Sequence, residues 1–154
     1  MRYGGALLAV RDVNAARKFY EDLFGLELYQ DYGNNISFTC GLSLQQEFHW
    51  LAGISPEQVG YMTHNMELYF EEEDLDGFLI KLSQYPGVRY LGDVVEHTWG
   101  QRVVRFYDLD GHLIEVGEPL AAVIRRFQGA GMTMEEISKR MDVSLGDLAT
   151  LLKK

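Results

Sequence analysis

The sequence predicts an α+β fold: two βαβββ modules forming a curved, cup-shaped mixed sheet, followed by a short all-α C-terminal tail. Three observations carry this. The chain repeats itself, because DVNAARKFYEDLFGLELY from Asp12 is answered by DLDGFLIKLSQYPGVRYL from Asp74 at an offset of 62 residues. Each copy is flanked by short runs with the alternation or apolar continuity of β-strands. After Pro119 the apolar spacing becomes helical throughout.

In chain order, ALLAV (6–10) reads as the first strand. A helix over 12–24 follows, capped by Asp12, with Val13, Ala16, Tyr20 and Leu23 at helical spacing and Gly25 at its stop. Strands are expected at 26–31, 34–40 and 41–48. The second module repeats the plan: MELYF (66–70), a helix over 74–85 capped by Asp74 and stopped by Gly87, then strands at 88–95, 101–107 and 112–118. The last two are joined by the turn Asp108-Leu109-Asp110-Gly111. One helix covers one face of a module's sheet, so the other face must meet its twin or line a cavity. The expected division is a domain of residues 1–118, with modules of about 1–60 and 62–118, and a tail of 119–154. In the tail, LAAVIRRFQ ends at Gly129-Ala130-Gly131, while Thr133 with Glu136 and Ser144 with Asp147 mark two further helix starts.

The 154 residues are 47% hydrophobic and 24% charged, an ordinary globular composition. The net charge of −9 is unevenly placed: residues 1–118 hold 8 Lys and Arg against 19 Asp and Glu, and 119–154 hold 6 against 4. Such an acidic body repels nucleic acid and favours cationic or neutral ligands. The single cysteine, Cys40, precludes an internal disulfide, and GGALLAV is too short for a signal h-region or a membrane span, so a cytoplasmic protein without membrane association is expected. Cys40 reads as a small core residue in an apolar strand, and no serine sits in a glycine elbow, so no catalytic nucleophile is assigned.

The duplicated pattern, with DVNAARKFYEDLFGLELY near the start and WGQRVVRFYDLDGHLIEVGE near the end, resembles the glyoxalase/bleomycin-resistance/extradiol-dioxygenase superfamily, the vicinal oxygen chelate proteins, over about residues 3–118. The resemblance implies a fold more than an activity, since the superfamily spans metal-dependent lyases, isomerases, dioxygenases, epimerases and thiol transferases as well as metal-free drug-binding proteins. It also implies that metal-dependent members draw one ligand from the first and one from the last strand of each module. Here the offset of 62 pairs Gly5 with Glu67, and matching GLSLQQE (41–47) to GHLIEVG (111–117) pairs Gln45 with Glu115. Gly5 carries no ligand atom, and the remaining Gln-Glu-Glu set is all oxygen, suited to a hard ion. None of the four histidines compensates: His64 has the wrong parity, His112 is at the hairpin turn, His97 is in a loop and His49 lies past its strand. No metal or other cofactor is therefore expected, a single divalent ion on Gln45, Glu67 and Glu115 being the fallback.

The candidate ligand pocket comprises Gln45, Glu67, Tyr69, Trp99, Arg105 and Glu115. Strand alternation turns Glu115 away from Ile114 and Val116, and Tyr69 shares the parity of Glu67. Two nearby carboxylates need a counter-charge, which Arg102, Arg105, a metal or a cationic ligand can supply. Phe38 reads as core, Trp50 as a further pocket aromatic, and Trp99, between the loop EHT and Gly100, as the rim of a cavity. The acidic run EEEDLD (71–76) reads as a solvated helix start. The leading expectation is a protein that binds a small cationic or aromatic molecule in an acidic cup. The alternatives are a metal-dependent lyase, isomerase or dioxygenase and a ligand-responsive regulator.

The tail segment MTMEEISKRMDVSLGDLATLLKK resembles the helix-turn-helix of bacterial regulators, with Ile137, Met141, Val143 and Leu148 as its core. Its last helix, however, offers Gly146, Asp147, Ala149 and Thr150, with basic residues only at Lys153 and Lys154, which argues against DNA as a partner. A helical lid or a docking arm of a homodimer suits three amphipathic helices better.

Overall fold

The computed structural model describes residues 1–153. It contains nine strands, β1 (Ala6–Val10), β2 (Leu28–Asp31), β3 (Asn35–Phe38), β4 (Leu42–Gln46), β5 (Leu68–Glu71), β6 (Arg89–Tyr90), β7 (Val95–Glu96), β8 (Arg102–Tyr107) and β9 (Leu113–Gly117). The helices are α1 (Val13–Phe24), α2 (Phe48–Ala52), α3 (Leu75–Gln84), α4 (Leu120–Gly129), α5 (Met134–Met141) and α6 (Leu145–Leu151). The fold is mixed α+β, with the order βαβββ in the first half and, in the second, the same order with the strand after the helix split into β6 and β7. Two compact units result: one of residues 1–66, 85–89 and 107–113, the other of 67–84, 90–106 and the described residues from 114 to 153.

In the first unit the sheet order is β1-β4-β3-β2, with β1 parallel to β4 and the rest antiparallel. The helix α1 starts where Asp12 accepts the N–H groups of Asn14 and Ala15, each at 2.9 Å, and stops at Gly25, whose φ of 63° is the left-handed conformation glycine tolerates. Its buried stripe, Val13, Ala16, Phe19, Tyr20 and Leu23, faces a core with Leu8, Val10, Ile36, Phe38 and Leu44. The Tyr20 hydroxyl donates to Asp108 Oδ2 at 2.8 Å, while Asp108 Oδ1 accepts the N–H groups of Asp110, Gly111 and His112 at 2.8 to 3.0 Å. The 108–112 turn is thus organised around one buried carboxylate. Burial pushes Asp108 up, but its bonds with His112 and Tyr20 outweigh this and hold it below the usual carboxylate range.

The second unit's sheet runs β5-β9-β8-β6, with β7 on β8, and β5 parallel to β9. Leu75, Phe78 and Leu82 are the buried face of α3, and the Phe78 ring packs 6.2 Å from that of Phe106. The tail helices enclose a core of Val123, Ile124, Phe127, Ile137, Met141 and Leu148. Thr133 and Ser144 cap α5 and α6 as their spacing predicts, Thr133 in a reciprocal box with Glu136. The tail docks on its own unit: Arg126 donates to Glu118 at 3.0 Å and to the carbonyl of Gly100, Arg140 pairs with Glu96 at 3.2 Å and Arg125 with Glu73 at 2.9 Å. At Gly100, with φ at 89°, a Cβ would lie 2.1 Å from Phe127 Cζ, so the glycine makes room for that ring.

Three local expectations are corrected. The strand expected at 88–95 is broken into β6 and β7, because Gly92-Asp93 bends the chain between them, although Leu91 still donates to the Arg105 carbonyl at 2.9 Å. The strand expected to reach residue 48 ends at Gln46, where Glu47 turns left-handed (φ 54°) and α2 begins. Cys40 is exposed in the β3–β4 turn, not in the core. Among the described residues no helix is long and apolar enough to cross a membrane.

Candidate functional site

On one face of the second sheet, side-chain alternation gathers a charged group. Tyr69 of β5 lies opposite Glu115 of β9 in the parallel ladder. Ile114 and Val116, on either side of Glu115, are fully buried, while Glu115 is turned to the opposite face and is itself only 7% exposed. Arg105 of β8 spans both acids: its Nη2 pairs with Glu115 Oε2, and its Nε lies 3.7 Å from Glu67 Oε2, just ahead of β5. Burial pushes the Glu115 carboxyl above its ordinary range and Glu67 adds to this, while Arg105 and His97 hold it back. Two carboxylates against one guanidinium leave this cluster one charge negative. Arg102, the other candidate counter-ion, is committed elsewhere, to Glu118 at 2.8 Å and Asp76 at 2.9 Å.

Beside this cluster Gln101, 8% exposed, ties two aromatic rings to the backbone. It accepts the Trp99 indole N–H at 3.1 Å and donates to the Tyr69 hydroxyl at 3.0 Å and to the Glu118 carbonyl at 2.8 Å. His97 stacks on Trp99 with ring centroids 4.2 Å apart and planes 10° apart. Both rings are thereby held in place while Trp99 stays 37% and Tyr69 47% exposed. Burial, with Glu71 and Glu115 nearby, keeps the Tyr69 phenol above its ordinary pKa, so it serves as a neutral donor and acceptor. Gln101 was not singled out by sequence; the available signal was its shared parity with Arg105.

Gln45, by contrast, belongs to the first unit, where it is 5% exposed, accepts from Asn35 at 2.9 Å and donates to the Gln46 carbonyl at 2.7 Å. The ladders also revise its place in the repeat. The starts of β1 and β5, and of α1 and α3, are 62 residues apart. Leu7 pairs with Ser43 while Tyr69 pairs with Glu115, so by register the counterpart of Glu115 is Ser43, two residues from Gln45 on the same face. Matching Gly41 to Gly111 misled the alignment, because Ala6 pairs with Leu42, directly after Gly41, while Leu68 pairs with Ile114, three residues after Gly111.

The donors present do not fit a resident transition metal. At Gly5 the φ of 138° would aim a Cβ at the Gly41 carbonyl oxygen, 1.9 Å away, so this backbone admits no side chain there. Glu67 and Glu115 share Arg105, both ends of the Gln45 amide are engaged, and among the described residues no group of three or more His, Cys, Asp or Glu could hold an ion. Of the other residues weighed, Phe38 is core at 2% exposure and Trp50 is 76% exposed on α2 in the first unit. His64 bonds the Tyr107 hydroxyl and His112 the Asp108 carboxylate.

The fold is shared with a glyoxalase/bleomycin resistance protein/dioxygenase family enzyme from Burkholderia phytofirmans (11% identity, 75% of this chain and 96% of that one covered, TM-score 0.62). The chain belongs to the glyoxalase-like domain family, whose match spans residues 3–121. It is similar to a protein of unknown function from Agrobacterium tumefaciens, with 36% identity over 77% of this chain and 94% of that one, at a TM-score of 0.65. The fold is also shared with the fosfomycin resistance protein FosX of Listeria monocytogenes (20% identity, 77% and 93% covered, TM-score 0.56) and with TioX of Micromonospora (19%, 77% and 98%, TM-score 0.56). No curated protein matches the chain.

Proposed function

We propose that this protein binds a small cationic or aromatic molecule on the acidic face of its second sheet, without a transition metal. The observation that carries this is the Glu67–Arg105–Glu115 cluster, one charge negative and partly withdrawn from water, beside the fixed rings of Tyr69 and Trp99. Aromatic walls with a few placed polar groups are what small-molecule sites share, and a negative cluster next to two π-faces favours a cation twice over.

The test is calorimetric titration with proflavine, a planar aromatic cation, against the anionic anilinonaphthalene sulfonate. Proflavine is expected to bind and the sulfonate not, with affinity falling as salt rises and as pH drops through the carboxylate range. Glu67→Gln with Glu115→Gln should weaken proflavine about tenfold, by loss of charges within a few ångströms in a partly dry site. Stoichiometric metal that accompanies the protein through chelator-free purification, and is lost in that double variant, would replace this reading with the metal-dependent lyase, isomerase or dioxygenase. The same reading takes the chain as a homodimer, supported by the exposed Trp50 and Leu51 of α2; a single monomeric species in sedimentation would remove that part.

A further inference from the structure

The tail core is complete in itself, yet α4 and the α5–α6 turn also border a cavity of about 470 Å³ against the second sheet. On the sheet side the walls are Tyr69 and Trp99, with Gln101 between them and Glu71 at the edge. On the tail side they are Leu120, Met141 and Val143. The volume suits a drug-sized molecule. Its chemistry is specific: two rings set by one buried amide, three aliphatic or thioether groups opposite, and Glu71, whose carboxylate has the Tyr69 hydroxyl 3.4 Å away and no cation among the ion pairs of the described residues.

We infer that the C-terminal helices are one wall of the ligand site: a planar aromatic cation lodges between Tyr69 and Trp99 on the sheet and Leu120, Met141 and Val143 on the tail, with Glu71 as its counter-charge. This rests on the reading above that the acidic face takes a small cation, and adds to it that the tail reports occupancy. The tail is held by a few polar contacts and the Phe127–Gly100 packing, so a ligand that touches both walls adds a further link between tail and sheet. Rings already held in place by Gln101 cost little further ordering on binding.

The experiment uses the full chain carrying Trp50→Phe, which leaves Trp99 as the single tryptophan of the two. Proflavine is titrated while Trp99 emission is followed, and quenching is expected. Val143→Lys and Val143→Glu are then compared; they disturb packing alike but place opposite charges on the tail wall. The inference expects binding about fivefold weaker with lysine and about fivefold tighter with glutamate, from a unit charge some 7 Å away in a partly hydrated site. Equal affinities, or both variants moving the same way, would overturn it, with thermal melts confirming that both still fold. Bound proflavine should also slow amide exchange in residues 134–151, and unchanged exchange would refute the link to the tail. Dependence on Glu67 and Glu115 but not on the Val143 pair would leave the acidic-face reading standing and sink the tail wall. Dependence on the Val143 pair alone would overturn the acidic-face reading on which this inference rests. No binding of proflavine removes both.

Discussion

Replacing Arg105 by methionine keeps most of the side-chain volume and removes the one cation between Glu67 and Glu115. The cost follows from where the charges lie. At an effective dielectric of about 20, opposite charges about 4 Å apart gain about 4 kcal/mol, and deleting one partner of a buried pair typically costs about 3–5 kcal/mol. The Glu115 side chain is 9% exposed, which argues for the full amount, but Arg105 is 29% and Glu67 39% exposed, and water screens their share. The expected loss is therefore about 2–3 kcal/mol at pH 7, a urea midpoint lower by about 1 M at a typical m-value. Its pH dependence fixes the cause. Glu115 already has a folded pKa above its unfolded value, so its contribution is most favourable below the unfolded pKa and is lost as pH rises through the folded one. Without Arg105 the folded pKa rises further, so the deficit should shrink as the pH is lowered toward 4 and Glu115 takes up a proton. Adding Glu115→Gln should recover most of the loss at pH 7. A deficit below about 0.5 kcal/mol, or one independent of pH, would show the pair to be an ordinary solvated surface contact.

Asp108 gives the opposite sign. Its folded pKa lies below the unfolded value, so the stability it contributes is present above the unfolded pKa and lost as pH falls through the folded one; Asp108→Asn should melt lower than the parent at pH 7 and converge with it in acid. Tyr20→Phe, which removes one hydrogen bond to that charge, should cost about 1.5–2 kcal/mol by chemical denaturation. Gly100→Ala must shift the Phe127 ring and strain a left-handed backbone, with an expected cost of about 2–3 kcal/mol and faster amide exchange in the tail helices; unchanged exchange would mean that the ring moves aside freely.

The modules were legible because duplication gives each element a second witness: Asp12 and Asp74 mark both helix starts, and the buried stripes of α1 and α3 fall on the apolar positions read from spacing. The pairing of Arg105 with Glu115 was open to the same reasoning, since both needed only strand parity and the balance of charge. What failed was whatever depends on how one chain segment meets another. Gly41 and Gly111 are both left-handed turn residues, but they stand at different distances from the first ladder pair, and nothing local records that distance. The α2 helix hangs on the left-handed turn at Glu47. Nor could spacing show that Met141 and Val143, correctly placed with the tail helices' apolar positions, would also line one cavity with Tyr69 and Trp99, because that meeting joins segments some 40 or more positions apart in the chain.

The close approach of Gly5 to Gly41 bears on how this chain can change over time. A donor at position 5 is not one substitution away: any β-carbon there runs into a backbone carbonyl, not into a side chain that a second mutation could trim. Placing an imidazole there would require β1 and the turn before β4 to separate, and the N–H of Ala6, which donates to the Gly41 carbonyl at 3.1 Å, would have to find another acceptor. The two glycines thus keep this end of the first sheet closed to any side chain.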